Sequence, residues 1–458
     1  MAQEGEEDME WYTLLPFAAL LGCIAILPLI EATKHAWENP MVKLIVALLL
    51  GVPMAYYSWQ KGHHHGVEHA LIEYVQFICL LGSLFIVSGG IDVEGDIQAT
   101  PVNNVRFLAI GGIIASFVGT TGAAMLLIRP LCSTISERAY KQHTVIFAIF
   151  IVANCGGLLT PLGDPPLFLG MLRGVPFTWT MQLLPQWLLV NGLLLLSYYA
   201  IDRRWYSLEP PANILWDLEN VTPITVTGRH NFVLLGVIVM LVALVPTPYR
   251  EVGMVVTAIV SYFSTSPEVR KGNGFNWEPI LEVATLFIGI FLAMVPALIY
   301  LRQVAPTLPL NHVTFFVFTG GLSAVLDNAP TYVTFFEISK ELGGAHPLVA
   351  GVPVLALTAI SLGAVFGGAI TYIGNGPNFM VKSVAESMGV KMPSFGGYVF
   401  YSFKTLVPIL GIMMLIFIVQ NETLQLLGVT LAAGLVGTRI IQIRKTPLPI
   451  LVMEEASS

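Results

Sequence analysis

The chain has 458 residues, of which 55% are hydrophobic and 11% are Asp, Glu, Lys or Arg, against about 25% charged residues in a soluble domain. That balance places it in lipid and excludes a water-soluble enzyme or carrier. The net charge is −7, and no long Lys/Arg run suggests nucleic acid or strong phosphoinositide binding.

The acidic amino terminus, MAQEGEEDMEW, lacks the basic flank of a secretory signal, so the first apolar run reads as a retained helix. Apolar stretches long enough to cross a hydrocarbon layer, about 20 residues each, follow at 11–30, 41–59, 70–90, 183–201, 281–301, 398–419 and 424–441. With interrupted segments included, hydropathy predicts roughly 12 to 13 crossings. The longest polar connections, 202–230 and 265–280, are too short for a core of their own. Cys23, Cys79, Cys132 and Cys155 are scattered, without the C-x-x-C spacing of metal or redox sites. No cofactor or metal centre is expected.

The chain repeats itself. At an offset of 211, residues 151–168 (IVANCGGLLTPLGDPPLF) share seven of eighteen positions with 362–379 (LGAVFGGAITYIGNGPNF). At an offset of 208, 116–124 (SFVGTTGAA) falls on 324–332 (AVLDNAPTY), and 84–96 corresponds to 286–298. Each half is thus predicted to hold, in order, a re-entrant segment, a helix broken near Gly119 or Asp327, and a helix broken near Asp164 or Asn375. The organisation expected is N-terminal scaffold helices at 1–69, a first repeat at 70–201 and a connecting region with scaffold helices at 202–275. A second repeat follows at 276–420, and a C-terminal helix and tail at 421–458.

Broken helices matter in lipid because an unpaired backbone N–H or C=O costs several kcal/mol unless it faces protein or a water-filled cavity. The breaks are expected at Gly119, Gly122, Gly163, Pro165, Pro166, Pro330, Gly374, Gly376 and Pro377, with the prolines freeing carbonyls for a cation. Half-helix termini in matching positions of two halves mark a transporter binding site.

Asp164 and Asp327 each sit beside a break, where a charge costs at least about 2.5 kcal/mol on insertion scales. Asp164 aligns with Asn375, and Asp327 with Gly119, so each half gives one carboxylate from a different break. If the halves pack about a pseudo-two-fold axis, Asn154, Asn328, Asn375, Asn378, Thr120, Thr121 and Thr331 would supply neutral groups around them. Desolvation favours the neutral acid and a bound cation favours the carboxylate, so one site can hold a proton or a sodium ion in turn. The competing reading makes each Asp a cap on a half-helix N-terminus. Lys404 reads as a snorkelling side chain, Glu282 and Arg129 as membrane-boundary residues, and His63, His64, His65, Glu68 and His69 as a solvated loop.

These motifs resemble the ion transporter superfamily, and within it the arsenite permease and NhaD-type sodium/proton antiporter group, often labelled citrate transporter-like. The resemblance covers residues 15 to 440 and rests on SGGIDVEG, ANCGGLLTPLGDPPLF, SAVLDNAPT and TYIGNGPNF. It departs after Gly-Asp-Pro, where Pro166, Leu167 and Phe168 replace hydroxyl residues, and at Gly119, Thr120 and Thr121, where carboxylate carriers have Ser-Asn-Thr. It implies an all-α polytopic protein of two inverted repeats with re-entrant hairpins and discontinuous helices, working as a homodimer in the cell inner membrane. The expected function is exchange of sodium or another small monovalent cation for protons. A sodium- or proton-coupled carrier of citrate or another small anion is the competing expectation. No Ser/His pair within spans and no H-E-x-x-H run supports an intramembrane enzyme.

Overall fold

The computed structural model describes residues 8–343 and 347–448, so parts of both predicted terminal segments lie outside the described residues. The first half contains α1 (Leu14–Ile26), α2 (Glu31–Glu38), α3 (Pro40–Gln60), α4 (His64–Ser88), α5 (Pro101–Val118), α6 (Thr120–Thr134), α7 (Gln142–Ile151), α8 (Pro165–Leu172) and α9 (Leu184–Tyr206). After α10 (Pro211–Glu219) the second contains α11 (His230–Leu244), α12 (Tyr249–Ser264), α13 (Pro267–Asn273), α14 (Glu278–Val304), α15 (His312–Ser323), α16 (Asn328–Leu342), α17 (Val354–Gly367), α18 (Gly376–Ser387) and α19 (Phe395–Phe417). Helix α20 (Glu422–Lys445) ends the described chain.

Among the described residues seven helices are long and apolar enough to cross a membrane alone, and the pair α1/α2, bent by 103°, makes an eighth candidate. The other crossings expected from composition come in pieces. The runs around α7, α11, α15 and α17 are apolar but only 10–17 residues long, because the chain unwinds or turns back before a full span is complete. The all-α polytopic class stands.

Two of the interruptions are hairpins. A Cβ added to Gly111 on α5 would lie 2.9 Å from Leu127 on α6, and the rings of Phe315 on α15 and Phe335 on α16 meet edge-on at 6.2 Å. Such contacts between residues 16 and 20 positions apart require the helix to fold back on itself. The turns lie at Gly119, with φ of +83°, and at residues 324–327. This corrects the sequence reading, which placed the re-entrant segments at 84–96 and 286–298. There α4 runs unbroken to Ser88 and a short strand, β1 (Asp92–Glu94), pairs antiparallel with β2 (Thr225–Thr227), while α14 passes through 286–298 without interruption. In 286–298 the helix carries Pro296 in its interior without ending there, the packing of this buried segment outweighing the lost backbone bond.

The two hairpins enter from opposite faces. Arg138, just after α6, donates to the Ala99 carbonyl just before α5 (2.8 Å) and to Asp202 near the end of α9 (2.9 Å); next along, Arg203 donates to the Thr446 carbonyl at the end of α20. The first hairpin therefore opens on the carboxy-terminal face. Glu337 in α16 accepts from Arg302 at the end of α14 (2.8 Å), and the adjoining Gln303 donates to Asp8. The second hairpin opens on the amino-terminal face.

Packing between the halves is reciprocal, as a two-fold operation demands. Helix α8 packs on α16 and α18 on α6; α3 packs on α14 and α12 on α4; α1 packs on α14 and α11 on α4. The approach of α3 to α14 is built on glycine: a Cβ on Gly289 would sit 2.5 Å from the Ala47 carbonyl oxygen.

Candidate functional site

Four half-helices begin near the centre of the bundle. Their N-cap positions are Gly119 for α6, Asp164 for α8, Asp327 for α16 and Asn375 for α18. Asp164 and Asn375, the positions aligned by the 211-residue offset, share one extended backbone conformation (φ −144°, ψ 140° and φ −153°, ψ 138°).

The same bonds hold both breaks. Thr160 donates its hydroxyl to the Ser116 carbonyl and Thr371 to the Ala324 carbonyl. Leu162 N donates to the Thr160 hydroxyl and Ile373 N to the Thr371 hydroxyl, both at 3.2 Å. Gly157 and Gly163 touch backbone to backbone, as do Gly368 and Gly374: a Cβ on Gly163 would lie 2.1 Å from the Gly157 carbonyl oxygen, and one on Gly374 2.6 Å from that of Gly368. The identical Gly and Thr positions of the repeat are therefore those that close these loops.

Asp164 is 1% exposed and accepts three side-chain bonds: from the Thr120 hydroxyl (3.0 Å), from Asn328 Nδ2 (2.6 Å) and from Asn375 Nδ2 (3.3 Å). Two of the three donors come from the other half. Although Asp164 occupies the N-cap position of α8, its side chain makes no bond to that helix's backbone; Pro165 and Pro166 leave few N–H groups to cap. Asp327 behaves differently. It caps α16 through Ala329 N (3.0 Å) and is half-buried. The capping reading fits Asp327, while the Asp164 carboxylate is held by side chains alone.

Asn154, Asn375 and Asn378 form an amide relay that ties the two unwound segments together. Asn375 donates to Asn154 Oδ1 (3.1 Å), Asn154 donates to Asn378 Oδ1 (2.6 Å), and Asn378 donates to the Gly368 and Thr371 carbonyls (2.7 and 2.8 Å). Thr331 spends its hydroxyl on the Asp327 carbonyl (2.9 Å). Thr121 is half-buried and bonds neither carboxylate among the described residues.

The prolines do not free carbonyls as the sequence reading expected. Pro165 and Pro166 open α8, Pro377 is the second residue of α18 and Pro330 the third of α16, positions where no intrahelical N–H bond is required. Side chains occupy carbonyls of the unwound stretch: Trp187 and Ser116 bond that of Gly156, and Asn191 that of Cys155. What converges on the site is helix N-termini and carboxylates, not bare oxygens.

Sequence reasoning missed a second buried cluster. Arg173, at the end of α8, donates to Glu73 on α4 (2.6 Å) and to Glu337 on α16 (3.1 Å), and Arg302 joins Glu337. Glu73 and Glu337 are 2% and 5% exposed; their placement inside otherwise apolar helices was the available signal. Elsewhere Glu282 pairs with Lys43 at 2.6 Å, and His65 and His69 lie 3.6 Å from Glu68 and Glu73. Lys404 is exposed on α19. No group of three metal-ligating side chains occurs among the described residues.

A family model described as "Putative citrate transport" matches residues 6–418. The chain belongs to this family. The 46 kDa membrane protein of Mycobacterium leprae is 27% identical to it over 308 residues, 62% of this chain and 69% of that protein. Two uncharacterized transporters, of Mycobacterium bovis and Mycobacterium tuberculosis, are each 25% identical over 319 residues, 64% of this chain and 71% of theirs. The protein is thus a multi-pass membrane transporter of the citrate-transport family. The match does not single out the arsenite permease and antiporter group that the motifs resemble.

Proposed function

We propose that the chain is a secondary active carrier of citrate or another small carboxylate, driven by a cation or proton bound at Asp164 and Asp327. The observation that carries this reading is the meeting of four half-helix N-termini around a carboxylate held by both halves. N-termini attract anions, and a buried carboxylate binds the proton or sodium ion whose release on the far side completes the cycle. The family description favours a carboxylate cargo.

A second reading, exchange of sodium for protons with no anion carried, draws on one specific observation. Asp327 already satisfies the N-terminus of α16 and Asp164 stands at that of α8, which leaves less positive field for an anion. Proteoliposomes decide between them. Labelled citrate uptake that requires an imposed sodium or proton gradient supports the carrier; sodium-driven proton movement read by an internal pH dye, without citrate uptake, supports exchange. Gradient-independent movement of either overturns both.

In this reading the chain sits in the cell inner membrane as a homodimer, the assembly the resemblance implies. Arg138, Lys141, Arg203, Arg204, Arg270, Lys271, Arg444 and Lys445 gather towards the carboxy-terminal face, while Lys61, Arg173, Arg250, Arg302 and Lys340 stand towards the other. By the positive-inside rule the carboxy-terminal face is cytoplasmic and the amino terminus outside.

A further inference from the structure

The two halves agree in sequence and in hydrogen bonding but not in exposure. On α8, Phe168 is fully buried; its counterpart on α18, Phe379, is 52% exposed. Gly376, Phe379, Ser383 and Glu386 are all exposed, and their spacing of three and four residues makes them one stripe of α18. The stripe starts one residue from Asn375 and ends near Lys391, whose carbonyl accepts from Gln142 at the start of α7, on the carboxy-terminal face. Ser383 and Glu386, the latter bonded to Lys382 at 3.0 Å, suit water and not lipid. A Cβ on Gly376 would meet nothing within 4 Å, and a helix N-terminus at membrane depth is tolerated beside open space only where that space holds water.

The corresponding route along α8 is filled. Phe168 lies under the guanidinium of Arg250, and the end of α8 is pinned by Arg173 to Glu73 and Glu337. The repeat offsets put Val384 where Arg173 has its counterpart and Arg129 where Glu337 has its own. An equivalent ion pair cannot form on the carboxy-terminal face.

We infer that this is the state in which the site opens along α18 to the carboxy-terminal face, and that Glu73–Arg173–Glu337 is the latch that seals the α8 route on the other. The inference rests on the transporter reading and adds to it a path and a gate. Breaking the latch frees α8 from α4 and α16, and the outer route then opens in part of the population.

The test uses the full-length chain with its four native cysteines replaced, in right-side-out and inverted vesicles, and a charged, membrane-impermeant thiol reagent. Gly376→Cys, Phe379→Cys and Ser383→Cys should react from the carboxy-terminal face at least about tenfold faster than from the other, a ratio ordinary for a two-state bias. Phe168→Cys should be unreactive from either face and gain reactivity from the amino-terminal face when combined with Glu337→Gln or Glu73→Gln. The three α18 positions are on an exposed surface, so their pattern reads out even where the Phe168 variants fail to fold. Equal reactivity from both faces, or no reaction at Ser383→Cys, overturns the path; an unchanged Phe168→Cys in folded latch variants overturns the gate. One-sided labelling in a chain that moves neither cation nor citrate overturns the transporter reading and leaves the path intact.

Discussion

Asp164→Asn separates what the carboxylate does for the fold from what it does for transport. The amide keeps the shape, and its Oδ1 can still accept from Thr120 and Asn375, but charge-assisted bonds become neutral ones. The two bonds to Oδ1 then weaken by about 1 kcal/mol each, and the third persists only if Asn328 turns its amide over to accept from the new Nδ2, a loss of about 3 kcal/mol in all. Against this, the folded state no longer buries an ionised carboxylate, which costs several kcal/mol even after relaxation. The two effects nearly cancel, so thermal unfolding in detergent should shift by less than the equivalent of about 2 kcal/mol. Transport should fall at least about 100-fold, because no group remains at that position to bind and release the coupling ion. The assay is gradient-driven uptake in proteoliposomes beside a melting curve of the same preparation. An Asp164→Asn protein that melts normally and transports with unchanged dependence on sodium and pH would refute the assignment. Asp164→Asn with Asn328→Asp moves the charge by one hydrogen bond, 2.6 Å away, and should restore a measurable part of the activity.

Gly163→Ala forces a Cβ against the backbone of Gly157, which has no side chain to move aside, and should cost about 3 kcal/mol or more; Gly376→Ala, with open space around it, should leave the melting temperature unchanged. Arg173→Met strands the buried Glu73 while Glu337 keeps Arg302, and should destabilise by about 3–5 kcal/mol, measured by thermal unfolding, with Glu337→Gln milder. In the polar connection, burial pushes the Asp217 carboxyl up to about 6. Its folded value lies above the unfolded one near 3.9, so the native state holds the extra proton between those values. Stability should therefore fall as pH rises from about 4 to 6, by about 1–2 kcal/mol after allowance for solvent screening, and Asp217→Asn should flatten that slope.

Much of the architecture was legible because lipid punishes irregular backbone: Gly156–Gly157, Thr160 and Gly163 recur as Gly367–Gly368, Thr371 and Gly374 since both loops close by the same bonds. The hairpins were harder. A sequence shows that a helix stops at Gly119 or Asp327, but only a distant contact such as Phe315 with Phe335 shows that it turns back. Asp164 and Asp327, although at different breaks, were both read as either a site acid or a helix cap because hydropathy weighs both alike. Their difference, one held by side chains from across the bundle and one by its own helix, depends on which half supplies Asn328 and Asn375. The Glu73–Arg173–Glu337 cluster joins three helices far apart in the chain, so no local spacing could announce it, although each Glu interrupts an apolar helix.

The mismatch between the halves at the site has an energetic meaning of its own. A carrier made of two identical inverted copies would have outward- and inward-facing forms of equal energy, each the mirror of the other in sequence of contacts. Here Asp164 stands opposite Asn375, Asp327 opposite Gly119 and Arg173 opposite Val384. Each such difference between the halves removes a degeneracy, so the two forms need not be equal in energy and the resting protein takes a preferred side of the membrane.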